Sequence, residues 1–170
     1  MKIIIQYLRI IMPHIGIALI IIAMILGNIH NWRGKAVLLT ADKTNVFITK
    51  NKEIKIVPYA LTLSDIKVDF YDSGETKSIE AFINAEKKNE TKTIPLRVNY
   101  PYKMGFGQDL YLISYDNNSE SPEFCVVELV YDPFQGLFLS GIILIIIGML
   151  LIKANTVKDS VSKVIKDNYK

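Results

Sequence analysis

The chain has 170 residues, half of them hydrophobic, with 20 basic against 17 acidic side chains for a formal charge of +3, and one cysteine. A lone cysteine excludes an intrachain disulfide, a Cys-x-x-Cys redox pair and a thiolate metal cluster. The basic excess sits in the two ends of the chain, and residues 33–132 are slightly more acidic than basic, so no one-sign field faces a polyanion and nucleic acid is not an expected partner.

Residues 1–9 carry Lys2 and Arg9, and the run that follows at 10–29 is free of charge. Its length matches the roughly 20 residues a helix needs to cross a ~30 Å hydrocarbon core. The run is longer than a usual signal-peptide core, and Ile25 and Gly27 make a poor cleavage site, so it reads as a retained anchor. A buried core helix is the alternative. Pro13 and His14 lie near its start, and Asn28 near its end.

Residues 30–133 are long enough for one small domain. Apolar and polar residues alternate at 65–70, where Ile66, Val68 and Phe70 share a face, and again at 79–83, 93–98 and 125–131. Turn-forming clusters separate these runs at 72–74, 87–90, 105–107 and 116–119. With 36–39, 46–49, 54–58 and 109–115 the reading gives seven or eight short strands, expected to form an antiparallel sandwich or an open barrel. Pro95 places its strand at a sheet edge, because proline cannot donate to a ladder. Cys125 sits in an apolar strand and reads as core packing, with a redox-active thiol as the alternative.

A second charge-free run covers 136–152, within a membrane segment drawn at 134–152. Its Leu, Ile, Phe and Met residues give roughly −4 to −6 kcal/mol for insertion, which Ser140 and the three glycines Gly136, Gly141 and Gly148 do not cancel. Lysines 153, 158, 163, 166 and 170 follow it, whereas Asp116, Glu120, Glu123, Glu128 and Asp132 precede it. The asymmetry places both termini in the cytoplasm and residues 30–133 outside a cytoplasmic (inner) membrane. Trp32, Tyr131 and Phe134 then fall at headgroup depth. The basic tail 153–170 spaces Val157, Val161, Val164 and Ile165 as a short amphipathic helix would, and a plain positive-inside flank explains the same lysines. The expected class is thus a mainly β membrane protein, with two transmembrane helices flanking an extracytoplasmic domain.

No phosphate-binding glycine loop, Gly-x-Ser-x-Gly elbow or His-Glu-x-x-His is present, and no histidine follows His30. The chain is therefore not expected to be an enzyme, and no catalytic residue is assigned. An ionisable residue inside a span is a functional candidate by default. His14 reads either as a haem-iron ligand completed by another subunit or as a neutral imidazole near the headgroups. Sixteen helical residues put His30 roughly 24 Å away, too far to ligate the same haem.

The stretch 98–102 (Val-Asn-Tyr-Pro-Tyr), then Gly105, then 111–116 (Tyr-Leu-Ile-Ser-Tyr-Asp), resembles the ResB family of cytochrome c biogenesis proteins. In that family an Asn-x-Pro segment, a glycine and an aromatic-Gln-x-Ser-Tyr strand precede the last span. Residues 56–71 look like the family's early strands, and 128–133 like its entry to the final helix. The matching motif residues are Asn99, Pro101, Gly105, Tyr111, Ser114 and Tyr115. Leu112 stands where the family has glutamine, and a single span precedes the external domain where the family usually has several.

The resemblance implies a non-catalytic accessory subunit in a haem delivery and attachment complex, sharing haem with a CcsA-like multispanning membrane protein and receiving apocytochrome c, with the lipid bilayer as its setting. It assigns His14 as the haem-facing residue of the first span. In such a complex Tyr102, Met104 and Phe106 of the 100–107 loop would line a chamber over the macrocycle. The simpler reading of that loop is a glycine-rich turn closing its own small cluster. From a different class comes a membrane-anchored structural or sensory module, whose external β domain binds another protein while its tail signals inside.

Overall fold

A computed structural model describes residues 2–88, 90–116 and 122–168, with side chains for residues 7–88, 90–116 and 122–154. Asn89, Asn117, Asn118, Ser119, Glu120 and Lys170 lie outside the described residues, as do the side chains of the 157–166 tail. The chain divides into two compact units: Met1–His30 with Phe134–Lys170, and Asn31–Pro133.

The first unit is a pair of helices, α1 (Lys2–His30) and α2 (Gln135–Asn168). Each contains a segment long and apolar enough to cross a bilayer, Tyr7–His30 and Gln135–Ala154. The helices run antiparallel, since Ile20, Gly16 and Pro13 of α1 meet Gly141, Ile145 and Gly148 of α2 in that order. Three glycines, Gly16, Gly141 and Gly148, lie in the seam. A Cβ on Gly16 would sit 2.6 Å from the Gly141 carbonyl oxygen, and one on Gly141 would sit 2.7 Å from that of Gly16. Side-chain-free positions of this kind let two helix backbones touch, which is how helices associate where there is no water to drive them together. Gly148 receives the ring of Pro13, which lies inside α1 and not at its start. The tail is not a separate short helix either: the backbone of α2 continues to Asn168 without a break.

The second unit is one antiparallel sheet of eight strands. In chain order these are β1 (Trp32–Leu39), β2 (Thr44–Thr49), β3 (Ile54–Phe70), β4 (Thr76–Lys87), β5 (Glu90–Arg97), β6 (Tyr102–Gly105), β7 (Gln108–Tyr115) and β8 (Phe124–Tyr131). Their order in the sheet is β5-β4-β3-β2-β1-β8-β7-β6. Two packed sheets, the sandwich alternative, are not formed; a single unclosed sheet is. Strand β5 comes within 8 Å of β6 and β7 without joining their ladders. Inward positions recur at every second residue, as in Ala36 and Leu38 of β1, Ala81 and Ile83 of β4, and Cys125, Val127 and Leu129 of β8. Phe47 is the largest of the fully buried side chains. Each of the larger ones, the Val, Leu, Ile and Phe side chains, contributes about 1.5–3 kcal/mol of burial.

Two expected strands, 54–58 and 65–70, are the ends of one strand, the 17-residue β3. Pro58 does not stop it, because the β2 partner shifts from Ile56 to Leu61 there and the residues between bulge out of the ladder. A proline in a bulge forfeits no ladder bond. Pro95 lies on β5, which is an end strand as expected. The loop after Pro101 also differs from expectation, since Tyr102–Gly105 forms the short strand β6 against β7.

Candidate functional site

In the helical unit His14 is exposed on α1, and its Nδ1 lies 2.7 Å from the Ile10 carbonyl oxygen, four residues back. A carbonyl can only accept, so Nδ1 carries a proton, and in the neutral ring Nε2 is then the nitrogen with the lone pair. That is the tautomer a metal-ligating imidazole adopts when its other nitrogen is held by a backbone carbonyl. His30 repeats the arrangement, with Nδ1 3.0 Å from the Leu26 carbonyl, and its ring meets Phe134 edge-on at 5.6 Å. Sequence reasoning assigned the two histidines different roles from position; the local geometry gives both the same free nitrogen. Among the described residues no group of three or more His, Cys, Asp or Glu side chains could by itself hold a metal.

In the β unit the motif residues are spread over one turn and two adjacent strands. Asn99 adopts a left-handed backbone, with φ of 66°, and turns the chain out of β5. Short polar side chains tolerate that conformation better than most. Tyr100 closes the turn with its amide 3.1 Å from the Arg97 carbonyl, and Pro101 leads into β6, which Gly105 ends. Tyr111, Ser114 and Tyr115 lie on β7. Tyr111 pairs across the strand with Glu128, Ser114 pairs with Val126 after a bulge, and Tyr115 packs partly buried against the core. Leu112, at the family's glutamine position, is itself buried in the core.

The 102–106 side chains separate. Tyr102 and Met104 pack against the core, and Phe106 is exposed. The three do not share one surface, and Met104 packs within its own unit. Gly107, with φ of 64°, lies against the 132–133 backbone, where a Cβ would be 2.6 Å from the Asp132 carbonyl oxygen. The Asp132 amide donates to the Gly107 carbonyl at 2.7 Å. That contact fastens the end of β8 to the β6–β7 turn.

Two polar features went unread in the sequence. Tyr59 is buried, and its hydroxyl donates to Oε1 of Gln108 at 3.1 Å; burial pushes its pKa up to about 12. Nothing in the local sequence pairs residues 49 apart. The second is a groove of about 690 Å³ lined by Asp69, 76–80 and 97–100, which therefore includes Asn99. Within it Ser78 donates to Asp69 at 2.7 Å and Arg97 to Glu80 at 2.8 Å. The hydrogen bond to Glu80 raises the guanidinium pKa, and the carboxylate charge adds to it. Cys125 is fully buried, and burial raises its thiol to about 12. A thiol so protonated is a packing group and not a redox nucleophile.

The model of the ResB-like family matches residues 6–124. No curated protein matches. Among solved structures, the cytochrome c heme lyase CcmF is similar with a TM-score of 0.57 and 12% identity, over 87% of this chain. This chain spans about a quarter of that protein's length, 24%. At that identity the likeness is one of fold.

Proposed function

The chain belongs to the ResB-like family, and from that premise we propose that it is a non-catalytic membrane subunit of a cytochrome c assembly complex. The family match carries this reading, and the fold shared with a cytochrome c heme lyase supports it. In the proposed arrangement α1 and α2 cross the cytoplasmic membrane, and Asn31–Pro133 stands outside it. A CcsA-like multispanning partner supplies the histidines and the haem-handling surface that this chain lacks. His14 offers Nε2 to haem iron shared with that partner. Iron ligation needs an unprotonated nitrogen, and in the neutral ring the bond from Nδ1 to the Ile10 carbonyl leaves Nε2 as that nitrogen, on an exposed side chain.

The test is co-expression and co-purification of the chain with a CcsA-like multispanning protein. The wild-type complex is expected to show a haem Soret band, and His14→Ala is expected to lose it while the two proteins stay together. His14→Gln, which keeps a polar side chain but ligates poorly, should behave like the alanine variant. An undiminished band in both variants removes His14 from the site. Normal levels of every c-type cytochrome after deletion of the chain would refute the assembly role and favour a structural or sensory module.

A further inference from the structure

The ladders around β4 do not match in length. On one side β4 pairs with β3 from Ala60↔Glu86 out to Phe70↔Thr76, with a register shift that passes over Lys77 between Asp69↔Ser78 and Phe70↔Thr76. On the other its pairing with β5 starts only at Glu80↔Arg97. The 76–79 segment therefore has a strand on one flank and none on the other, because Asn99 turns the chain away directly after β5. The turn walls the space that a longer β5 would fill, and that space is the groove of about 690 Å³.

What the groove lacks is specific. Its two acidic and two basic side chains balance in number: Arg97 pairs with Glu80, Asp69 accepts from Ser78, and Lys77 lies over the Tyr71 ring at 5.9 Å. The groove therefore carries no net charge to draw a small ion. The capacity left unused is the main chain's: along an antiparallel edge, alternate residues direct their N–H and C=O groups away from the existing partner. Those groups are complementary to another backbone. Tyr100, which lines the groove, is 73% exposed, and Tyr71, under the lining residue Lys77, is 55% exposed, which suits an occupant with apolar side chains.

We propose that this groove binds an extended segment of a second polypeptide, which adds to the sheet as a strand along residues 76–79 of β4. Main-chain bonds supply the attachment, and the two tyrosine rings read alternate side chains, the division of labour seen in strand addition generally. Four residues make a short ladder, suited to a chain that is held and released.

The experiment uses the full chain in lipid nanodiscs and two labelled ten-residue peptides. One carries Cys-x-x-Cys-His with both thiols alkylated, a choice that rests on the cytochrome c assembly reading. The other is an unrelated alternating Thr/Val peptide. Each is also made with alternate amides N-methylated, in both registers. Anisotropy is expected to show binding that weakens about tenfold or more in one methylated register, since losing one or two backbone hydrogen bonds costs about that much. Hydrogen exchange of 76–79 should slow when the parent peptide binds. The proposal fails if neither peptide binds, if methylation in both registers leaves binding unchanged, or if the protection falls elsewhere. Binding of the Thr/Val peptide alone would uphold the groove and count against the assembly reading.

Discussion

Replacing Gly141 by alanine tests whether the two helices touch through their backbones. The new Cβ would sit 2.7 Å from the Gly16 carbonyl oxygen and 2.7 Å from Ile20 Cγ1, where ordinary contact begins near 3.4 Å. Ile20 can change rotamer, but a helical carbonyl cannot move aside alone. The helices must therefore separate by about 0.7 Å at the crossing, and overpacking of this kind costs ~1–3 kcal/mol. Gly136→Ala is the matched control, since a Cβ there meets nothing within 4 Å. Dyes on Ile10→Cys and Met149→Cys, both exposed positions, in a Cys125→Ala background, would report helix separation as SDS is titrated into a mild detergent. Gly141→Ala is expected to separate at a lower SDS fraction, and Gly136→Ala to stay within ~0.5 kcal/mol of the parent. Adding Gly16→Ala to Gly141→Ala should cost less than the two single losses together, because one displacement accommodates both methyl groups. Equal separation curves for Gly141→Ala and Gly136→Ala would refute the backbone crossing.

The remaining predictions concern the sheet. Cys125 should resist iodoacetamide at pH 8 in the native chain and react once the chain is denatured, as mass spectrometry would show; ready native alkylation would contradict its burial. Its folded pKa of about 12 lies above the ordinary 9.0, and that of Tyr59, also about 12, lies above 10.0. The unfolded state therefore releases these protons first as pH rises. Stability should be unaffected by these groups below about pH 9 and fall between about pH 9 and 12. Cys125→Ala should flatten the first part of that fall in melting temperature, and an unchanged slope would dismiss the thiol as its source. Gly107→Ala should lower the melting temperature more than Gly74→Ala. Both glycines have positive φ and share the ~1–2 kcal/mol left-handed penalty, but only Gly107 abuts backbone, that of Asp132 and Pro133. Equal losses would place the whole effect in the backbone conformation.

Much of the β unit was legible because alternation is a local signal: the inward faces of β1, β4 and β8 follow from every second residue. The errors have physical causes. The strand expected over 54–58 runs on past Pro58, because the bulge between Ile56 and Leu61 leaves that residue outside the ladder, where its missing N–H costs no bond. Strand β6 is four residues long with glycine at its end, so it gains its extended form from β7 and not from its own composition. In the helices, Gly141 and Gly148 counted only as dilution of an apolar run. Their seven-residue spacing places them on one helical face, and the same spacing relates Gly16 to Ala23, both buried in α1. That periodicity was available as a sign of close packing. His14 was found from position, whereas the bond that fixes its tautomer depends on a rotamer and left no mark on the sequence. The groove could not be read at all, since it arises from a difference between two ladder lengths.

Strands β1 and β8 are neighbours in mid-sheet, paired from Trp32↔Tyr131 to Leu39↔Phe124. Trp32 follows α1 after a single residue, and Tyr131 precedes α2 by three. Both connections therefore leave from the same end of one antiparallel pair. Tension drawn through them would act across that ladder and not along it, opening hydrogen bonds one rung at a time. A sheet loaded this way behaves like a zipper, which yields at a lower force than the same bonds sheared together. The tilted Trp32–Tyr131 ring pair, with centroids 5.8 Å apart, is the first rung and acts as its clasp.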